Sequence, residues 1–231
     1  TDTEVIGRML VEAPGRDWVE AIQSVMPRLQ GAYIIVLMTP SQLFGIRDPL
    51  GVRPLCIGRL NGAWLLASES CALDTVGADF IREVTPGEIV IIDKDGLRSV
   101  RGQPPGRSSL CVFEYIYFAR PDSLINDRLL YVAREEMGRH LAQEHPVDAD
   151  VVIPVPDSAV PAGIGFAREA NLPFSEGLIK SRYIGRTFIQ PDQRIRDVGI
   201  NLKFNPLPEV LRGTRVVIVD DSIVRGTTTR P

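Results

Sequence analysis

The chain has 231 residues, 44% of them hydrophobic and 24% charged, with a formal net charge of −3; this is long enough for one large domain or two modest ones, in the composition of a soluble globular protein. No basic excess points to nucleic acid or an anionic membrane surface, and no apolar run approaches the roughly 18 residues of a membrane span. Three cysteines without CxxC spacing, Cys56, Cys71 and Cys111, argue against a disulfide framework or a self-contained zinc site and place the chain in a reducing cytoplasm.

Thr1-Asp2-Thr3-Glu4 precedes a helical stretch, Val5–Val11. The string serves either as an N-cap or as a carboxylate for a substrate ammonium, and the sequence does not choose. Asp17 and Glu20 have capping-box spacing ahead of a second helix to about Leu29, with Trp18, Ile22, Val25 and Leu29 along one face. Pro27 interrupts its last turn. Strands are expected over Tyr33–Met38, Leu43–Arg47, Leu55–Leu60, Ala63–Ala67, Glu88–Asp93 and Leu97–Val100. Asn61-Gly62 and Asp95-Gly96 mark hairpins, the first of type I′. Between the strands Leu43–Arg47 and Leu55–Leu60, Arg47-Asp48-Pro49-Leu50-Gly51-Val52-Arg53-Pro54-Leu55 reads as a tight turn, either braced by an Arg–Asp pair or functional.

Arg101–Ser109 (RGQPPGRSS) has the composition of a linker or domain crossing. It divides residues 1–105, an α+β portion, from residues 106–231, where helices and strands alternate as in a parallel α/β sheet. A helix is expected over Asp127–Glu144, with Leu129, Leu130, Ala133, Met137 and Leu141 as its apolar side. A buried strand Val151–Val155, a small-residue helix Pro161–Ala170 and a strand Phe174–Ile179 follow. Ser181–Asn205 is polar and aperiodic, as lids and binding loops are.

The last sixteen residues before Pro231 carry the densest signal: RVVIVDDSIVRGTTTR, Arg215–Arg230. An apolar strand runs into Asp220 and Asp221, then into a loop of Arg225, Gly226, Thr227, Thr228 and Thr229. Ligands of parallel sheets bind at the carboxyl ends of strands. Carboxylates suit sugar hydroxyls and Mg²⁺, while Gly and Thr in a loop donate to phosphate; together they describe a sugar-phosphate site. Receiver domains share the strand and paired acids, but Thr227–Thr229 is a poor start for the helix they need there. Pro156-Asp157-Ser158 ends another strand, so Ser158 either caps the next helix or reaches a metal held near Asp220. Lys180–Phe188 holds three cations, Lys180, Arg182 and Arg186, forming either a solvated charge run or a lid that clamps a diphosphate.

These strings together resemble the amidophosphoribosyltransferases along essentially the whole chain. The strongest carriers are Cys111–Ser123 (CVFEYIYFARPDS), Lys180–Gln190 (KSRYIGRTFIQ) and Val217–Thr228 (VIVDDSIVRGTT), supported by Asp2–Glu4, Arg47–Leu55, Leu66–Ser70 and Pro86-Gly87-Glu88. The resemblance implies part of an N-terminal-nucleophile glutaminase sandwich, then part of a type I phosphoribosyltransferase with a mostly parallel sheet. It implies ammonia release from glutamine and its transfer to 5-phosphoribosyl 1-diphosphate. Asp220 and Asp221 would hold ribose hydroxyls and, with Ser158, Mg²⁺. Arg225–Thr229 would cradle the 5-phosphate, Lys180 and Arg186 would lie near the diphosphate, and Asp2 would bind the glutamine amino group. It also implies purine nucleotides as feedback inhibitors and a homo-oligomer. Some members carry an iron–sulfur cluster, and Cys111 matches one of its ligand positions; a free thiol is the other reading.

The chain departs from the family pattern at both ends and, within Ile200–Asn205 (INLKFN), at Asn201, where many relatives have an Arg. It begins at Thr1 without the family's N-terminal cysteine and ends at Pro231 before a helix that would close the phosphate loop, so it reads as a fragment with no glutaminase activity of its own. A non-catalytic relative that binds ribose phosphates or nucleotides is the rival reading.

Overall fold

The computed structural model describes residues 1–181 and 204–223. They form two compact units: residues 1–114 with 122–127, and residues 115–121 with those described from Arg128 onwards. The chain therefore leaves the first unit at Glu114, returns for six residues and leaves again.

The first unit is four-layered. Helices α1 (Asp2–Glu12) and α2 (Trp18–Val25) cover one face of a four-stranded antiparallel sheet, in the order β1 (Ile34–Met38), β2 (Leu43–Arg47), β6 (Glu88–Asp93) and β7 (Gly96–Arg101). A second antiparallel sheet, β4 (Ala63–Ala67), β3 (Cys56–Leu60) and β5 (Asp79–Glu83), packs on the opposite face, with α3 (Ser70–Thr75) outside it. Strand alternation builds this arrangement. Ile89 and Ile91 of β6 point to the helices with Phe44, Ile22 and Leu10, whereas Val90 faces Leu55, Ile57 and Val84 between the sheets. Cys56, next to Ile57, faces Leu73 and Ala78 on the outer side.

Local chemistry sets the boundaries. Thr1 caps α1 through Oγ1, which accepts the Glu4 N–H at 3.4 Å. The Asp17 carboxylate caps α2 by accepting the Glu20 N–H at 2.9 Å, while Glu20 Oε2 accepts the Arg16 N–H at 2.7 Å, one residue before the position that a capping box uses. Pro27 turns the next residues into a 3₁₀ turn, Met26–Arg28. Asn61 and Gly62 have φ of 50° and 87°, both positive as a type I′ turn requires. In the second hairpin only Gly96 has positive φ; Asp93 pairs with Gly96 around Lys94-Asp95. The sequence reading had no counterpart for α3 or β5.

The segment whose composition suggested a linker is held along the first unit. The N–H groups of Gly102 and Gln103 donate to the Gly87 carbonyl at 2.9 and 3.1 Å, Gly106 to Pro49 at 2.8 Å, Ser109 to Leu50 at 2.9 Å and Cys111 to Val52 at 3.0 Å. A β-carbon on Gly87 (φ 77°) would stand 2.5 Å from the Gln103 carbonyl oxygen, so only glycine permits this docking.

In the second unit, a π-helical turn (Glu114–Phe118) follows the crossing. Two short strands, β8 (Leu124–Ile125, in the first unit) and β9 (Arg128–Leu129), precede α4 (Leu130–Glu144) and β10 (Val151–Pro154). Helix α5 (Val160–Ala170), β11 (Leu178–Lys180), β12 (Phe204–Pro206), α6 (Pro208–Leu211) and β13 (Val216–Val219) complete it. The helix expected from Asp127 begins at Leu130 because Asn126 and Asp127 both have positive φ. Its buried stripe is Leu130, Arg134, Gly138 and Ala142, of which only Leu130 was expected: Leu129, Met137 and Leu141 are exposed and Ala133 is half-buried. Arg134 is buried because Nε and Nη2 donate to the carbonyls of Tyr115 and Ala119, each at 2.7 Å. Gly138 is buried because α5 lies against it; a β-carbon there would fall 1.9 Å from the Ala162 carbonyl oxygen. The strand expected over Phe174–Ile179 is a single bridge, Val152 to Phe174, followed by β11. Among the described residues no helix is long and apolar enough to cross a membrane.

Candidate functional site

Strands β10 and β13 pair in parallel, Val151 with Val216 through Pro154 with Val219. The register continues one bond further, as the Val155 N–H donates to the Val219 carbonyl at 2.9 Å. Both chains thus leave the sheet side by side, one into Pro156-Asp157-Ser158 and the other into Asp220-Asp221-Ser222. Parallel strands buried on one face against α5 through Val152, Phe166, Ala167 and Val219 place loops at a common carboxyl edge, the usual ligand position in such sheets. The sequence-identified Ser158, Asp220 and Asp221 are brought to this edge together.

Local bonds orient the acids. Asp220 Oδ1 accepts the Asp221 N–H at 2.9 Å, and Ser222 Oγ donates to Asp221 Oδ1 at 2.8 Å. Lys180, the last residue of β11, donates from Nζ to Asp157 Oδ2. Ser158 does not cap α5: the N-cap residue is Ala159, without a side-chain capping bond. Arg186 and Arg225, Gly226, Thr227, Thr228 and Thr229 lie outside the described residues.

At the opposite end of the pair, Arg215 is bonded to Asp150 through Nη2 at 2.8 Å and to Asp148. These bonds raise the guanidinium pKa and lower that of Asp150. All three groups are exposed, at the amino ends of the strands.

The charged turn of the first unit is structural. Arg47 is 4% exposed and Asp48 is 0% exposed. Arg47 Nε donates to the Arg53 carbonyl at 2.8 Å, Nη1 to the Val84 carbonyl at 2.5 Å and Nη2 to the Gly51 carbonyl at 3.2 Å. Nη1 also pairs with Glu83 at 3.4 Å. Asp48 accepts the N–H groups of Leu50 and Val52 at 2.9 and 3.2 Å, closing the loop as an Asx turn. Tyr33 packs beside it; burial and then the Asp48 charge push its hydroxyl up to about 12. Arg47 and Glu83 also border an open cavity of about 340 Å³ within this unit, a feature that no sequence motif announced.

Asp2 lies exposed in the first turn of α1, where Thr1 is the cap. Burial, then the Glu83 charge, pushes the Cys56 thiol up to about 12, and its Sγ donates to the Ala67 carbonyl at 3.2 Å. Cys71 is buried and Cys111 half-buried. Among the described residues no three His, Cys, Asp or Glu side chains are grouped to hold a metal.

Residues 1–75 match the family model described as a glutamine amidotransferase domain. The whole chain is 51% identical to an amidophosphoribosyltransferase of Mycobacterium tuberculosis, covering 44% of it. It is 52% identical to one of Synechocystis sp., covering 48%, and 49% identical to one of Archaeoglobus fulgidus, covering 51%. The chain thus spans about half the length of the curated relatives it matches. Among solved structures, the glutamine phosphoribosylpyrophosphate amidotransferase of B. subtilis, complexed with ADP and GMP, superposes over the full chain with a TM-score of 0.92 and 46% identity, half of that protein being covered.

Proposed function

We propose that this chain, a relative of the amidophosphoribosyltransferases over its whole length, carries part of an enzyme that moves glutamine-derived ammonia onto 5-phosphoribosyl 1-diphosphate. The products are 5-phosphoribosylamine, glutamate and diphosphate. The first unit, with its helix–sheet–sheet–helix layers, is the glutaminase side, and the second holds the start of a type I phosphoribosyltransferase sheet. The observation that carries the reading is the common carboxyl edge of β10 and β13, where Ser158 and the Asp220-Asp221 pair leave the sheet together.

In this reading, Asp220 and Asp221 accept hydrogen bonds from the ribose hydroxyls and hold C1 toward ammonia. Ammonia donates its electron pair to C1 as the bond to diphosphate breaks, and the adduct loses a proton. Lys180 and Arg186 bind the departing diphosphate; Arg225–Thr229 hold the 5-phosphate. Asp2 binds the glutamine amino group. Ser158, Asp220 and Asp221 offer the hard oxygen donors that suit Mg²⁺, an ion held by one or two carboxylates plus substrate phosphates rather than by an all-protein cage. When bound, Mg²⁺ supplies neutralisation of the diphosphate charge. Cys111 has no companion ligands among the described residues, so no step is assigned to an iron–sulfur group. A cytoplasmic homo-oligomer inhibited by purine nucleotides fits the same reading, in line with the B. subtilis protein solved with ADP and GMP.

The test is diphosphate release by the intact protein, with either glutamine or ammonium salts as nitrogen source. Release that requires phosphoribosyl diphosphate, and that falls at least about 100-fold in Asp221→Asn, is expected. Phosphoribosyl diphosphate bound without any release would leave a binding protein instead.

A further inference from the structure

We propose that Asp157 is a counter-ion latch for Lys180, holding its ammonium while the carboxyl edge is empty and yielding it to an incoming diphosphate group. This rests on the phosphoribosyl reading of that edge and adds a positioning residue to it. Lys180 ends β11 with its side chain only 32% exposed, and Nζ donates to Oδ2 of Asp157, whose side chain is 74% exposed. Asp157 directly precedes Ser158 on the segment leaving β10, and that segment departs beside Asp220-Asp221.

Three carboxylates leaving adjacent strand ends repel a diphosphate unless a cation is committed to it. Lys180 is placed to be that cation, but its ammonium is already bonded to Asp157. Exposed ion pairs are weak, whereas charge-assisted bonds to phosphate oxygens are strong, so the diphosphate wins the exchange. Asp157 therefore does two opposing things. It keeps a flexible lysine at the edge in the absence of ligand, and it competes with the ligand for the same ammonium. A bystander pair does neither, and a metal-binding or substrate-binding Asp157 favours the ligand instead of opposing it. The sign of the effect on diphosphate affinity separates these roles.

The experiment is a double-mutant cycle on the intact protein, with inorganic diphosphate and Mg²⁺ as the probe and calorimetric Kd as the readout. Asp157→Asn is expected to bind diphosphate about two- to five-fold more tightly than the parent. In a Lys180→Gln background, that gain is expected to vanish, because there is no ammonium to release. An equal gain in both backgrounds means that Asp157 merely repels the anion, and the latch is wrong. Unchanged affinity makes the pair incidental, and weaker affinity makes Asp157 a ligand-binding group; either overturns the latch. A parent protein that binds no diphosphate overturns the phosphoribosyl reading as well, whereas binding without coupling overturns the latch alone.

Discussion

The Arg47–Arg53 turn of the first unit and the β10–β13 edge of the second share a vocabulary of a cation, Asp and Pro. Their physics is opposite. At the turn, the guanidinium is buried and its donors go to three backbone carbonyls and Glu83, while both oxygens of Asp48 accept loop N–H groups. Charges so committed are architecture. At the edge, the Lys180 ammonium is bonded to the side chain of Asp157, which is exposed, so a ligand can take either without unfolding anything. Burial, rather than residue type, separates structure from chemistry here, and three substitutions of decreasing effect grade that statement.

The largest effect is expected from Arg47→Met. It keeps much of the apolar bulk but leaves the carbonyls of Gly51, Arg53 and Val84 without their Arg47 donor and removes the cation beside Glu83, which keeps the Asn126 N–H at 2.6 Å. Breaking a buried charge network by removing one partner costs about 3–5 kcal/mol, a large part of a typical domain's stability. Urea unfolding of the intact protein measures it. A loss below about 1 kcal/mol would show the turn to be dispensable and would remove the contrast with the edge.

The sequence displayed this contrast only in part. Period-two strands, the Asn61-Gly62 turn and the Asp17 helix cap were legible because each depends on neighbours in the chain. The strand end that carries Asp220 and Asp221 was legible because an apolar run stops at two acids. The α4 stripe was not legible: Arg134 and Gly138 are buried by partners from other segments, the carbonyls of Tyr115 and Ala119 and the backbone at Ala162, so apolarity pointed to the wrong face. The Lys180–Asp157 pair joins residues 23 apart in sequence and follows from where β10 and β11 end. The docking of residues 102–111 was hidden for a similar reason, since Gly, Pro and Ser mark irregular backbone whether it is free or hydrogen-bonded.

Glu88 tests the intermediate case. It is 8% exposed, and burial alone would raise its pKa. Bonds from Arg82 at 2.6 and 3.0 Å and from the Thr85 N–H and hydroxyl, both at 2.7 Å, with a contribution from Ser99, prevail and hold it at about 2, against an ordinary 4.5. A depressed folded pKa means that the unfolded chain binds the proton more tightly, so the stabilisation is present above about 4.5 and is lost as pH falls toward 2. Allowing for the half-exposed Arg82, Glu88→Gln should cost on the order of 2 kcal/mol at pH 7. The gap to the parent should narrow between pH 4.5 and 2. Denaturation midpoints across that range check it; a gap of constant size would mean that packing, not charge, holds Glu88.

Arg215→Met should have the smallest effect, although its side chain bonds two carboxylates. Arg215 reaches Asp150 at 2.8 and 3.3 Å and also bonds Asp148, and its pKa is raised by them. These groups are exposed, so water and salt compete for each charge; at 0.15 M the screening length is about 8 Å. The main chain holds the strand ends without the side chain: the Arg215 N–H donates to Asp150 Oδ2 and the Asp150 N–H to the Arg215 carbonyl, both at 2.7 Å. Both bonds survive the substitution and preserve the β10–β13 register. The unfolding midpoint is therefore expected to match the parent at physiological salt and to fall below it only near 10 mM, where screening reaches about 30 Å. A loss at 0.15 M equal to that of Glu88→Gln would show that exposure does not discount these ion pairs, and the division between buried architecture and exchangeable surface charge would fail.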